Sequence, residues 1–158
     1  MANNAAGIAL TAFIVAVAVS FGYYQFLYLP EANAKPVLPR AITDPTDTTK
    51  VTIVPGASVQ SNTRNFEPKD ARGAIGLANR VTWTNTDNVP HTVTSDDHYK
   101  DAYSGSFNSL DQQDNVPGGY LLPGKSFTFV FTKVGTYSYH CEPHPWMQAK
   151  VDIIENFA

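Results

Sequence analysis

The sequence predicts an all-β sandwich preceded by one N-terminal transmembrane helix. Three observations lead there. The first thirty residues contain no Lys, Arg, Asp or Glu, so the whole formal charge of −3 lies beyond Pro30. From Val51 onward, short stretches of β-branched and aromatic residues alternate with polar ones and are separated by Gly, Pro and Asn clusters, the pattern of half-buried strands joined by turns. No part of that second region carries a convincing helical period. A chain of 158 residues has room for one ordinary domain and an appendage.

Ala5 to Leu29 is a run of 25 mostly apolar residues, and a helix crossing a hydrocarbon core needs about 20. A secretory signal is the rival, because Ala32 and Ala34 imitate a small-residue cleavage site. The run exceeds the roughly 7 to 15 residues of a signal core, and no Lys or Arg precedes it. Residues 1–30 are therefore read as a transmembrane anchor or uncleaved signal. Lys35 and Arg40 after the span would favour a cytoplasmic C-terminal side, but a long folded segment weakens that rule. The site chemistry below fits an extracytoplasmic setting, with secretion after signal cleavage as the alternative. Tyr23, Tyr24 and Tyr28 suit an interfacial aromatic belt. Residues 31–50, with Pro36, Pro39 and Pro45, resist regular structure and read as a linker, leaving residues 51–158 as the folded domain.

Within that domain the strand candidates are Val51–Val54, Arg80–Asn85, His91–Ser95, Ser126–Phe131, Gly135–Cys141 and Gln148–Ile154. Turn signals lie at Pro55-Gly56, Gly118-Gly119, Pro123-Gly124 and Gly135. Successive strand residues point to opposite sides. Phe127, Phe129 and Phe131 therefore share one face, Val81 and Trp83 another, and Tyr137, Tyr139 and Cys141 a third. Two sheets packed through such faces make a sandwich. Asp96 to Tyr120 is an excursion with no assignable order.

The single cysteine excludes an internal disulfide. It stands in HCEPHPWM, where Cys141, His144 and Met147 recur at three-residue spacing at the end of a strand. A thiolate, an imidazole and a thioether on one short loop, joined by a second imidazole, make the trigonal His2Cys set with a weak axial Met that holds copper in electron-transfer sites. His91 is the best placed second imidazole, since the tight DNVP connection returns it beside the strand RVTWTN; His98 and His140 are the alternatives. Alternation turns His140 away from Cys141, and His98 sits in the polar stretch DDHYKD. Asn85 and Thr86 are close enough in sequence to orient a ligand. Trp146, Pro143 and Pro145 would form an apolar rim around His144 or simply stiffen the loop.

RVTWTNTDNVPHTVTS, then LLPGKSFTFVFTKVGTYSYHCEPHPWM followed by VDII, resembles the cupredoxin family, and its plastocyanin and amicyanin-like members in particular. The resemblance covers roughly Val51 to Ile154. It implies a Greek-key β-sandwich binding one copper ion near one end, with His91, Cys141, His144 and Met147 as ligands and His144 as the exposed imidazole that exchanges electrons. Two stretches, RNFEPKDARGAIGLANR and SGSFNSLDQQDNVPGGYLLPG, are longer than a minimal plastocyanin needs, and Gln148-Ala149-Lys150 stands where relatives often have a glycine.

The expected function is a mononuclear type 1 blue-copper protein, not an enzyme, carrying single electrons between membrane-associated redox partners. The alternative is a small copper enzyme acting on a nitrogen oxide or oxygen species at an open type 1 site. A multicopper oxidase would need a His on both sides of the Cys, and Glu142 follows Cys141 here. A copper store would multiply thiols, and this chain has one. The mildly acidic charge gives no reason to expect nucleic acid as a partner.

Overall fold

The computed structural model describes residues 3–111 and 117–156, and the chain separates into two units, Met1–Pro36 and Val37–Ala158. In the first, helix α1 spans Asn3–Tyr23, widens into a π-helical turn over Tyr24–Tyr28 and closes with α2, Leu29–Ala32. The widening has a local cause. Pro30 offers no N–H to the Phe26 carbonyl, and its ring presses on that carbonyl. A π turn, closed by the Leu29 N–H on the Tyr24 carbonyl, opens the helix enough to relieve this. The apolar stretch Gly7–Ala32 has 26 residues, about 39 Å at 1.5 Å per residue, so it is long enough to cross a hydrocarbon core of about 30 Å.

The second unit is the expected two-sheet sandwich. Its strands are β1 (Thr48–Ile53), β2 (Phe66–Glu67), β3 (Asp70–Ala74), β4 (Arg80–Asn85), β5 (Thr94–Ser95), β6 (Lys100–Asp101), β7 (Gly105–Ser106), β8 (Ser126–Val130), β9 (Gly135–Cys141) and β10 (His144–Ile154). One sheet runs β2-β1-β4-β8 and the other β3-β10-β9-β5, with β6-β7 a separate hairpin. The alternation places side chains as anticipated. Val81 and Trp83 of β4, Phe127 and Phe129 of β8, and Tyr137, Tyr139 and Cys141 of β9 are all buried. The outward Thr82 and Thr84 of β4 instead meet Thr128 and Ser126 of β8 through hydroxyl pairs, each at 2.9 Å.

Three segments differ from the sequence expectation. His91–Ser95 is not one strand: only Thr94–Ser95 pairs with β9, while His91 makes an isolated bridge to Leu121. The last strand starts at His144 rather than Gln148, because the turn after Cys141 is tight enough for His144 to pair straight back on it. The RNFEPKDARGAIGLANR stretch supplies β2 and β3, one edge strand for each sheet. Gly73 in β3 is required by close approach, since a Cβ there would lie 2.3 Å from the Ala78 carbonyl oxygen.

Part of the proline-rich stretch is docked on the domain. A short helix, α3 (Arg40–Thr43), is held through its Ile42 carbonyl, which accepts from Asn79 Nδ2 at 2.8 Å. Asp44 pairs with Arg80 at 2.8 Å.

The Asp96–Tyr120 excursion contributes to the core through Phe107, which is fully buried. Its ring lies 5.4 Å from that of Trp83 and 5.1 Å from those of Phe129 and Phe131. The same excursion carries a buried carboxylate. Asp101 accepts from the Thr132 hydroxyl at 2.7 Å and its amide at 3.0 Å, from the Tyr103 and Ser104 amides at 2.8 and 3.1 Å, and from the Tyr99 hydroxyl at 3.1 Å. Burial alone would raise this carboxyl. The Thr132, Tyr103 and Ser104 donors outweigh burial and hold it below the ordinary carboxylate value.

Two stability predictions follow from this packing. Phe107→Ala should cost about 3–5 kcal/mol, the range for truncating a buried aromatic, read from urea unfolding. Asp101→Asn should cost about 2–3 kcal/mol at neutral pH by stranding buried donors. Because the folded carboxyl is lowered, its contribution is full above the unfolded value of about 3.9 and is lost as pH falls below it. The gap between wild type and Asp101→Asn should therefore narrow between pH 7 and pH 3; a constant gap would refute the role given to the charge.

Candidate metal centre

The site is assembled from two segments of the domain, fifty residues apart in the chain. β9 ends on Cys141, two residues turn the chain, and β10 begins on His144, which lies directly opposite Cys141 in the antiparallel register. This turn alone brings a thiol and an imidazole together, with Cys141 Sγ and His144 Nδ1 at 3.5 Å. The pairing then slips between His144 and Gln148, and the irregular stretch carries Trp146 and Met147.

His91 arrives from the other side. Pro90 precedes it, and two backbone bonds with Leu121, at 3.1 and 2.8 Å, hold it in place. Its Nδ1 lies 3.6 Å from Cys141 Sγ. The next residue locks the contact, as the Thr92 N–H donates to Cys141 Sγ at 3.3 Å and the Thr92 hydroxyl accepts from the Glu142 amide at 2.8 Å. Among the described residues, His91, Cys141 and His144 form the one group of three or more His, Cys, Asp or Glu side chains whose donor atoms converge, all within 4.8 Å of one another.

Of the expected residues, His91 and Cys141 are fully buried and His144 is half-buried. Met147 is fully buried in the apolar cluster that also contains Cys141. His140 faces away and pairs with Asp96 at 2.6 Å, a surface role that matches its strand position. His98 is exposed in a left-handed conformation, with φ 56°. The Trp146 ring sits 5.3 Å from that of His144.

Sequence reasoning missed Asp87. Neither Asn85 nor Thr86 takes the orienting role expected of them. Asn85 donates to the Val89 and Leu121 carbonyls, each at 2.8 Å, and so shapes the connection. Thr86 bonds the Ile53 carbonyl at 2.7 Å. It is Asp87 Oδ2 that meets His91 Nε2, at 3.0 Å and out of solvent. The signal was a carboxylate four residues before the histidine in a connection stiffened by Pro90.

Burial governs the electrostatics. It would raise Asp87, but the Gly56 amide, the His91 imidazole and the Asn88 and Ser58 amides overcome it and hold the carboxyl at about 2. Burial lowers His91 despite Asp87 beside it, and pushes the Cys141 thiol up against the Thr92 hydrogen bond. The Nε2 edge of the ring faces that carboxylate and the Nδ1 edge faces the sulfur.

The spacing fits a metal ion. An ion at about 2.0 Å from nitrogen and about 2.3 Å from sulfur, in trigonal to tetrahedral geometry, sets those atoms about 3.5–3.8 Å apart; the two distances here are 3.6 and 3.5 Å. Two imidazoles and one thiolate, a borderline and a soft donor type, suit copper in either oxidation state.

The chain is similar to known copper-binding proteins. The family model for copper binding proteins of the plastocyanin/azurin family matches residues 54–154. Amicyanin-alpha of Methylorubrum extorquens is 38% identical over 86 residues, covering 54% of this chain and 61% of the relative. Plastocyanin of Scenedesmus fuscus is 34% identical over 95 residues, covering 60% of this chain and 87% of the relative. The chain spans about half the length of most of the other curated relatives it matches. Among solved structures, a novel purple cupredoxin from Nitrosopumilus maritimus superposes with a TM-score of 0.50 at 29% identity, covering 66% of this chain and 97% of that one. The sandwich, the convergent donor set and these matches together make the chain a member of the plastocyanin/azurin family of copper-binding cupredoxins.

Proposed function

We propose that the protein is a mononuclear copper electron carrier held at a membrane by its N-terminal helix. His91, Cys141 and His144 are its strong ligands and Met147 is the weak axial one. The observation that carries this reading is the convergence of one thiol and two imidazole nitrogens, two of the three side chains sealed from solvent and the third at the surface.

Bound copper supplies a one-electron couple between Cu(I) and Cu(II). The chain's own part is to keep the donors still. Cys141 is fixed by the Thr92 amide and by strand pairing, His91 by Asp87 and the Leu121 bridge, and His144 by its register opposite Cys141. Donors held this way have little freedom to rearrange when the charge of the ion changes. His144 is the partly exposed member and so the edge a partner can approach, with Trp146 packed beside it. The partners implied are redox proteins at the same membrane on its extracytoplasmic side, because tethering confines encounter to the membrane surface. Secretion after cleavage within the EANAK segment is the alternative placement.

The test uses the full-length chain in detergent, loaded with Cu(II). An intense thiolate charge-transfer band at about 600 nm is expected, and Cys141→Ser should reduce it at least about tenfold. Met147→Leu, which removes the thioether at similar volume, should keep the band and raise the reduction potential by on the order of 50–100 mV. A potential and spectrum indifferent to Met147→Leu would instead favour an open axial position and a small copper enzyme, and absence of the band in wild type would sink the copper-thiolate assignment. Cleavage is checked separately, by the mass of the protein recovered from membranes.

A further inference from the structure

Three backbone N–H groups and one imidazole nitrogen converge on the buried carboxylate of Asp87. Oδ1 accepts from the amides of Gly56 and Asn88 at 2.9 and 2.8 Å, and Oδ2 accepts from the amide of Ser58 at 3.3 Å and lies 3.0 Å from His91 Nε2. The residue is fixed from behind as well, since its own amide donates to Asn85 Oδ1 at 2.9 Å. The Gly56 donor is presented by a turn in which Gly56 takes φ +77°, the left-handed region that glycine adopts without strain. That turn is itself tied down by Asn62 Nδ2 on the Gly56 carbonyl at 3.0 Å.

We propose that Asp87 is a positioning residue for the metal centre: its carboxylate keeps the His91 proton on Nε2, leaves Nδ1 as a ready donor before any metal arrives, and joins that donor to the Gly56–Ser58 turn. The inference rests on the copper reading above. Imidazole has two tautomers, and only one leaves Nδ1 free. A carboxylate accepts at both oxygens, so with two donors already on Oδ1, Oδ2 can serve His91 only by accepting its Nε2 proton. The anion also lies one imidazole away from the donor atoms, where it stabilises the more positive state of a bound ion.

Asn at this position is a sharp probe, because it keeps the shape and replaces one acceptor by a donor. With its oxygen toward Gly56 and Asn88, its NH2 group faces His91 Nε2, and the ring can answer by moving its proton to Nδ1. Turned the other way, the NH2 group faces two backbone amides that cannot answer. Asp87→Asn should therefore invert the His91 tautomer.

The experiment reads the ring nitrogens of His91 by long-range proton–nitrogen correlation in the metal-free full-length protein, wild type and Asp87→Asn. Copper affinity and reduction potential are then measured on both. Expected are Nε2–H in wild type and Nδ1–H in the variant, a loss of copper affinity of about 10–100-fold, and a shift of at least about tenfold toward Cu(I), which is about 59 mV for one electron. Nδ1–H in wild type overturns the proposal without any variant, so a variant that failed to fold would not protect it. Nε2–H retained in Asp87→Asn, with affinity and potential unchanged, overturns it too. Failure of the copper reading shows separately, as a wild-type protein with no thiolate band, while the metal-free tautomers still judge the role of Asp87.

Discussion

The antiparallel pairing of Cys141 with His144 across a two-residue turn is the contact on which the rest of the domain depends. It joins β9 to β10 at the centre of one sheet, so the strands that flank them, β5 and β3, are placed by it. It also fixes a sulfur and a nitrogen at 3.5 Å with no help from the other sheet. Everything else about the site amounts to delivering a second nitrogen to that preset pair and shielding the result from water.

Delivery is done by backbone and shielding by aromatic packing. His91 lies in a connection that follows β4, where Asn85, Thr86 and the Leu121 bridge spend their hydrogen bonds on shaping the main chain. Behind the donors, Trp83, Phe127 and Tyr139 belong to one continuous aromatic cluster that includes Phe107 from the long excursion. Burying polar groups against such a cluster is costly unless each is satisfied. The sulfur takes the Thr92 amide, the remote nitrogen of His91 takes Asp87, and Asp87 takes three amides of its own. The polar chain that makes the site chemically useful is thus the same one that makes its burial tolerable.

Local signals in the sequence carried a long way. RVTWTN and GTYSYHC alternate with period two, and their buried faces fall where that period puts them because pleating leaves no other choice. His140 turns outward to Asp96 for the same reason. The signals failed where pairing partners lie far apart in the chain. The two edge strands β2 and β3 come from a segment rich in Arg, Ala, Asn and Gly, whose strand character is imposed by neighbours. Phe107 gave no periodic signal either; it is buried because the excursion folds back over the open side of the core.

The sequence by itself determined the apolar helix, the strand faces and the Cys-x-x-His-x-x-Met spacing, since each depends only on residue chemistry and on the period of the backbone over a few positions. The sequence already pointed to His91 as the second imidazole, ahead of His98 and His140; the tertiary structure supplied the contact, bringing a ring fifty residues before Cys141 to 3.6 Å from its sulfur. It alone showed that Asp87 stands behind that ring. The first is a convergence of segments distant in the chain, set by how the two sheets pack around a shared core; the second is local in sequence, but the carboxylate is held in place by the distant Gly56 and Ser58 amides.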